Sequence, residues 1–354
     1  MLVLMRSLGI LLFPLFLFYT AAVYLRNKLY DLRLLKSCTI DAPVVSIGNI
    51  QVGGTGKTPF VEYLAKKLEQ WGYETAILTR GYRRESNESF IIDKSNRLKI
   101  TPRLIGDEPY LLHQNLPSAI LGVDADRCRT AQRILEKHPQ AVFLLDDGFQ
   151  HRRISRDFDI VLIDVSRWSD FPFLFPLTSL RDVKSSLRRG DVFILTRMEG
   201  NEHKAVELEN YLTKRFQKPV LRAEFLALNI RFLRDGALLP VEALKDKKAA
   251  AFCGLANPAQ FFGMLKSIGT RLVMQKQFDD HHHYRVEEIE AMVTDSRQIG
   301  ADLIVTTQKD AVKLAEVMGN LPKQLCYLEI AAGLRDECEL DNALKDVLNK
   351  FQKQ

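Results

Sequence analysis

A glycine-rich run between an apolar strand and an amphipathic helix constrains this chain more than any other feature. Pro43 to Ile50 (PVVSIGNI) reads as a buried strand, and Gln51-Val52-Gly53-Gly54-Thr55-Gly56-Lys57-Thr58 follows it. From about Thr58 to Trp71, Phe60, Val61, Leu64 and Leu68 recur at the spacing of one helical face, and Gly72 ends the helix. Strand, glycine turn and helix in that order make a phosphate-binding loop. The glycines let the backbone wrap closely with N–H groups aimed at phosphate oxygens, and the helix start adds its partial positive charge. Gly53, Gly54, Thr55, Gly56, Lys57 and Thr58 are therefore the expected nucleotide contacts. Lys57 would reach the β- and γ-phosphates and the Thr58 hydroxyl would bind Mg²⁺. The usual pattern has glycine five residues before Gly56, where this chain has Gln51.

The strand–helix rhythm continues downstream. Thr75–Thr79, Ala141–Leu145, Ile160–Ile163 and Val192–Thr196 are short, apolar and rich in β-formers, which predicts a mostly parallel sheet covered on both faces. Between about Leu221 and Pro240, AEFLALNIRFLRDGALLP alternates around Asp235-Gly236 and predicts a hairpin that connects two domains. A second α/β unit follows: strand 249–253, helix from Pro258, strand 271–278, helix from Val286 and strand 302–306. A last amphipathic helix covers about 341–351. With 354 residues the chain has room for two cores and an added segment.

That added segment is N-terminal. Leu8 to Tyr24 contains no charged residue and is bracketed by Arg6 and Arg26. The run is at the lower limit for crossing a bilayer, so a spanning helix and an interfacial one both remain open. A cleaved signal peptide and a buried core helix are the other readings. Arg26, Lys28, Arg33 and Lys36 follow it, a basic flank that suits the cytoplasmic side and anionic headgroups. The net charge of +6 is modest: it favours acidic surfaces such as anionic lipid or phosphate ligands and is too diffuse to argue for nucleic acid, which is not expected as a partner. Five scattered cysteines without a CxxC pair support neither a zinc site nor a disulfide framework, and reduced thiols are expected.

Four further groups bear on chemistry. Asp146-Asp147-Gly148 ends an apolar strand, where a P-loop enzyme places its Mg²⁺ partner, although Asp-Gly is also an ordinary turn. Gly106-Asp107-Glu108-Pro109 is either a helix start capped by Asp107 or the source of a carboxylate that takes a proton from an attacking hydroxyl. Asp279-Asp280-His281-His282-His283 is a surface loop or lends one histidine to a cleft; three consecutive histidines do not converge easily on one ion. Arg80-Gly81-Tyr82-Arg83-Arg84 offers guanidinium groups to a phosphate, or is a solvated basic turn. Thr306-Thr307-Gln308-Lys309-Asp310 closes another strand and lacks the TKxD pattern of guanine readers.

Taken in order, the hydrophobic N-terminus, SIGNIQVGGTGKTP, RGYRR, GDEP, VDADR, LLDDGFQHR, FCGLANP, FDDHHHY and TTQKDAVK resemble the tetraacyldisaccharide 4'-kinase family, the lipid A 4'-kinases of Gram-negative bacteria. The resemblance covers nearly the whole chain, and the family's loop commonly lacks the first glycine. It implies transfer of the ATP γ-phosphate to the 4'-hydroxyl of a tetraacyl disaccharide 1-phosphate, giving lipid IVA. By position it implies that Asp107, paired with His281, activates the hydroxyl. It likewise implies that Glu108, Asp146 and Asp147, with Thr58, surround Mg²⁺, that Arg127 is a further phosphate contact beside Lys57, and that Arg80 meets the substrate's 1-phosphate. The family shows an LREP-like stretch where this chain has Leu177-Thr178-Ser179-Leu180-Arg181-Asp182, which leaves Arg181 without an assigned role.

The expected fold is thus α/β: a P-loop NTPase-like parallel-sheet domain, a smaller α/β domain joined by a two-stranded β-ribbon, and an N-terminal membrane helix. The expected boundaries are 1–36 for the anchor and basic flank, 37–220 for the kinase core, 221–240 for the ribbon and 241–354 for the smaller domain, its last helix returning to the core. A monomer at the cytoplasmic face of the bacterial inner membrane, using ATP and Mg²⁺, is expected. The competing readings are a partition-type switch ATPase, whose signature lysine position is Val52 here, and a nucleotide-binding scaffold without turnover.

Overall fold

The computed structural model describes residues 2–82, 84–95, 100–280, 282–319 and 321–352, with side chains from residue 16 to 351. In chain order the first elements are α1 (Leu2–Asp31), β1 (Val44–Asn49), α2 (Lys57–Gln70), β2 (Thr75–Thr79), β3 (Phe90–Ile92), α3 (Pro102–Ile105), α4 (Asp107–Asn115), β4 (Ile120–Val123) and α5 (Arg127–Leu135). Then come β5 (Val142–Asp146), β6 (Phe158–Asp164), β7 (Val192–Thr196), α6 (Glu202–Phe216), β8 (Val220–Phe232) and β9 (Leu238–Pro240). The chain ends with β10 (Lys248–Cys253), α7 (Pro258–Ser267), β11 (Arg271–Gln277), α8 (Val286–Gln298), β12 (Leu303–Thr307), α9 (Gln308–Val317), β13 (Leu325–Leu334) and α10 (Glu337–Gln352). It divides into two compact units: Met1–Arg80 with Asp124–Glu224 and Gly333–Gln354, and Gly81–Val123 with Phe225–Ala332.

In the first unit β2, β5, β1, β6, β7 and the start of β8 lie side by side, every pair parallel. All residues of β1, β2, β5, β6 and β7 are buried. Such runs are the mark of a sheet covered on both faces, since alternation would appear if one face met water. Ile50, Phe149, Val161, Trp168, Leu180 and Phe193 belong to one apolar cluster at this sheet, and Val23 of α1 packs against it.

The second unit has its own parallel set, β11-β10-β12-β13. β8 and β9 form the predicted hairpin, with Asn229, Ile230 and Arg231 opposite Pro240, Leu239 and Leu238. Gly236 sits in its turn at φ 71°, a conformation glycine adopts without strain. Two neighbouring cores fill this unit, one holding Phe261, Phe262 and Leu328, the other Phe252, Tyr284 and Met292. β3 and β4 add an antiparallel pair.

Two expectations need correction. Cys38 and Cys128, 90 residues apart, form a disulfide with Cα atoms 6.5 Å apart, whereas reduced thiols were expected throughout. Spacing along the chain carries no trace of a pairing that only tertiary folding creates. The other correction concerns the membrane helix. α1 is helical as expected, but among the described residues no helix is long and apolar enough to cross a membrane. Arg26, Asn27, Lys28 and Asp31 make its last turns polar, and those turns bind protein. Asn27 is buried and donates to Asp182 Oδ1 at 2.8 Å and to Ser186 Oγ at 3.0 Å. Arg152 donates to the Asn27 carbonyl at 2.8 Å and pairs with Asp31 at 2.8 Å.

Candidate active site

β1 runs into the glycine loop and α2 leaves it, as the sequence predicts. Gly53 and Gly56 have φ near +90°, where a side chain would be strained, and Gly56 forms the cap of α2 with no side-chain bond. Lys57 opens the helix, so the first-turn N–H groups remain available to an anion. Asn49 Nδ2 donates to Thr55 Oγ1 at 2.8 Å, and Thr196 Oγ1 donates to the Thr55 carbonyl at 3.2 Å. These bonds pin the middle of the loop while Gly53 and Gly54 stay exposed.

Gln51, the position that departs from the usual pattern, is fully buried. Its amide donates to the Asp164 carbonyl at 2.9 Å and accepts from the Asp164 N–H at 2.8 Å. A side chain thus continues the backbone pairing between the loop's start and the end of β6, which a glycine could not do. Asp164, also fully buried, accepts from Arg197 at 2.7 Å and from Ser166 at 2.6 Å.

Asp146 and Asp147 end β5 with different fates. Asp146 is buried and accepts from Thr79 Oγ1 at 3.0 Å. Asp147 is half-exposed, turns out of the strand at φ 50°, and meets three cations. Lys57 Nζ lies 3.5 Å from its Oδ1, and the Arg181 guanidinium grips both carboxylate oxygens, with Nη1 at 2.9 Å from Oδ2. Arg127 Nη1 reaches the Asp147 carbonyl at 3.4 Å. Enclosure alone would raise the Asp147 pKa, but Lys57, Arg181 and Arg127 together hold it well below the usual carboxylate range.

Arg181 also reaches Asn49, through the side-chain oxygen. It arrives there because residues 179–181 pair with the loop's entry: Val52 N–H donates to the Ser179 carbonyl and Arg181 N–H to the Ile50 carbonyl, both at 2.7 Å. The divergent stretch around Leu180 therefore still delivers its arginine to the loop. The sequence alone gives this residue no role, although it shows a basic residue beside an acidic one there.

Arg127 is the first residue of α5 and is buried. Its turn is built by Asp124, which accepts from the Asp126 N–H at 2.9 Å and from Thr130 Oγ1 at 3.1 Å, while Asp126 caps the helix through the Arg129 N–H. Burial lowers the Arg127 pKa, and Asp146 and Asp147 counter the shift. Burial also pushes His151 down to about 4, reinforced by Arg127, Arg153 and Arg156. Arg80 follows β2 and is exposed.

Asp107 and Glu108 belong to the second unit, in the first turn of α4. Gly106, at φ 97°, occupies the cap position, so Asp107 does not cap this helix as one reading of the sequence had it. The two carboxylates face lysines of α9 instead: Lys313 Nζ is 3.5 Å from Asp107 Oδ2 and Lys309 Nζ is 3.9 Å from Glu108 Oε1. His281 and Arg83 lie outside the described residues. Of the neighbouring histidines, His282 stacks on Phe278 with centroids 4.7 Å apart and meets Glu288 at 3.1 Å, a structural commitment. Among the described residues no group of three or more His, Cys, Asp or Glu side chains is gathered for a metal ion. Mg²⁺ asks less, since it keeps several waters and takes one or two carboxylates plus nucleotide phosphates. The hard oxygens of Asp146 and Asp147, at one strand end in the unit that carries Thr58, fit that demand.

A parallel sheet, a glycine loop ahead of α2 and a ring of cations around Asp147 define a P-loop phosphotransferase. Residues 8–349 match the family described as Tetraacyldisaccharide-1-P 4'-kinase, and the chain belongs to that family. It is 34% identical over 349 residues to the tetraacyldisaccharide 4'-kinase of Pelobacter propionicus, with 98% of this chain and 94% of that protein covered. Identity to the enzyme of the same name from Syntrophus aciditrophicus is 32% over 348 residues, covering 94% and 91%. Among solved structures, the "apo" form of LpxK from Aquifex aeolicus in complex with ATP superposes with a TM-score of 0.77 at 32% identity, covering 96% of this chain and 99% of that one. Membership in this family sets aside the partition-type ATPase.

Proposed function

We propose that the chain transfers the γ-phosphate of ATP to the 4'-hydroxyl of tetraacyldisaccharide 1-phosphate, forming lipid IVA at the cytoplasmic face of the bacterial inner membrane. The observation that carries this reading is the set Lys57, Arg127 and Arg181 gathered on Asp147 at the mouth of the glycine loop. Phosphoryl transfer needs positioning and neutralisation of charge more than covalent chemistry. Lys57 and Arg181 both rest on Asp147. Phosphate oxygens would compete for the same donors, supported by the N–H groups of Gly53 to Thr58.

Thr58, Asp146, Asp147 and Glu108 are the oxygen donors that would hold Mg²⁺, which when bound neutralises charge on the phosphates. Asp107, with His281, takes the proton from the 4'-hydroxyl, and Arg80 meets the 1-phosphate. The working boundaries are 1–36 for the anchor, 37–220 for the kinase core, 221–240 for the ribbon and 241–354 for the smaller domain. Phe18, Leu25 and Tyr24 of α1 are exposed, at 73%, 59% and 47%, and suit an interfacial helix that draws the enzyme to its lipid. The enzyme acts as a monomer and uses no nucleic acid.

Incubation with γ-labelled ATP and a tetraacyldisaccharide 1-phosphate in mixed micelles tests the reading. Label should enter the lipid in proportion to enzyme and disappear with Lys57→Ala. Label found only in free phosphate would overturn it.

A further inference from the structure

The run Thr307-Gln308-Lys309-Asp310-Ala311-Val312-Lys313, at the end of β12 and the start of α9, has no part in the nucleotide loop, yet it contains the most buried charges of the second unit. Asp310 is fully buried and Lys313 is 6% exposed. Asp310 Oδ2 accepts from the Gly254 N–H at 2.9 Å and from Thr307 Oγ1 at 2.7 Å, which fixes the carboxylate against the end of β10 and the cap of α9. Its other oxygen faces Lys313, one turn on, at 3.6 Å. Lys313 Nζ then lies 3.5 Å from Asp107 Oδ2. Beside this chain, Gln308 and Asn115 exchange amide bonds at 2.7 and 3.1 Å, setting the register of α9 on α4.

Burying an ammonium between two carboxylates is costly, and an apolar contact of the same volume would stabilise the unit at least as well. The arrangement makes sense as a device that fixes a side chain in place. Val312 and Leu314, on either side of Lys313, are buried apolar residues, so apolar packing at this helix surface is available to the sequence. Glu108 shows the contrast: its lysine is 3.9 Å away and Glu108 itself is 40% exposed, whereas Asp107 is 20% exposed beside an almost enclosed lysine.

From this geometry we infer that Lys313, anchored by Asp310, is a positioning residue that holds the Asp107 carboxylate for proton transfer from the acceptor hydroxyl. The inference rests on the reading of Asp107 as the base. Lys313 touches no reacting atom; it acts through Asp107.

A double-mutant cycle in steady-state kinetics tests it, with Lys313→Met, Asp107→Asn and the pair. Lys313→Met should lower kcat about 10- to 100-fold, the scale of a misplaced catalytic group. KM for ATP and for the lipid should stay within about twofold. In the Asp107→Asn background the same substitution should cost nothing further, because the group it positions is gone. Wild-type kcat in Lys313→Met, losses that multiply across the cycle, or a KM that rises in step with the fall in kcat would overturn the proposal while leaving Asp107 as the base. Near-normal kcat in Asp107→Asn alone would instead overturn the base reading, and this proposal with it. Should Lys313→Met fail to fold, Lys313→Arg carries the same cycle. Its planar fork cannot place one donor at the same point, so a loss of about threefold to tenfold with the same non-additivity is expected. Full activity or multiplying losses there would overturn the proposal equally.

Discussion

The two acidic pairs, Asp146-Asp147 in the first unit and Asp107-Glu108 in the second, look alike as sequence and are built on opposite plans. Asp146 and Asp147 end a buried strand, and the backbone turn at Asp147 presents its carboxylate to Lys57 and Arg181 while Arg127 reaches its backbone carbonyl. Asp107 and Glu108 open a helix, and a single neighbouring helix supplies one lysine to each. Three cations crowded around one residue, two of them on its carboxylate, leave positive charge to spare, which is what a polyphosphate requires. Each of these lysines also faces a second carboxylate, Asp310 for Lys313 and Asp280 for Lys309, so the lysines bring no surplus of their own and set orientation. Counting acidic residues cannot separate a site that recruits an anion from one that steadies a base; counting their counter-charges can.

Breaking the second plan should have the largest effect. Asp107→Ala should reduce single-turnover phosphoryl transfer about 10²- to 10⁴-fold, the usual worth of general-base help, while ATP affinity by calorimetry stays within about twofold. Near-normal single-turnover rates would remove Asp107 from the chemistry. The first plan is broken more gently by Arg181→Lys, which keeps the charge but loses the two-pronged grip on Asp147. We expect about a tenfold loss in kcat/KM for ATP with the melting temperature held. An unchanged value would make Arg181 a structural partner of Asp147 only.

A smaller effect is expected behind the loop. Gln51→Leu leaves the buried N–H and carbonyl of Asp164 without the amide that now serves both. Denaturant unfolding should show a loss of about 1–3 kcal/mol. Equal stability would mean that solvent or a neighbour satisfies those groups. The smallest effect concerns pH. His151 is held neutral down to about 4, below its ordinary value of 6.5. The unfolded chain therefore binds the extra proton first, and this contribution to stability, present above about pH 6.5, is lost as pH falls toward 4. His151→Gln should flatten that part of the stability–pH curve; an unchanged slope would show that His151 is not its source.

Much of the first unit was legible because its strands are continuous apolar runs: Thr75–Thr79 and Val192–Thr196 coincide with β2 and β7 to the residue. The hairpin turn at Asp235-Gly236 was legible for a different reason, its turn chemistry. β13 went unread although it completes the second parallel set, since LCYLEIAAGL mixes half-buried and buried positions without a clean period. The disulfide and the match between Lys313 and Asp107 were invisible because both join residues far apart in the chain. Arg181 was obscured by its divergent neighbours, yet backbone bonds, indifferent to side-chain identity, carry it to the loop. Family likeness supplied the acceptor; no residue pattern in the chain could have named it.

The polar seam under α1 has a practical consequence for anyone trimming the N-terminus to gain solubility. Asn27 donates to Asp182, and Gln150, whose carbonyl receives Arg26 at 2.5 Å, holds the Asn49 carbonyl at 2.8 Å with its own amide. Cutting the helix away would strip a donor from a buried carboxylate that Gln150 links to Asn49, which in turn holds Thr55 of the glycine loop. A clipped enzyme given a detergent-soluble substrate would then be slow for want of its brace rather than for want of a membrane.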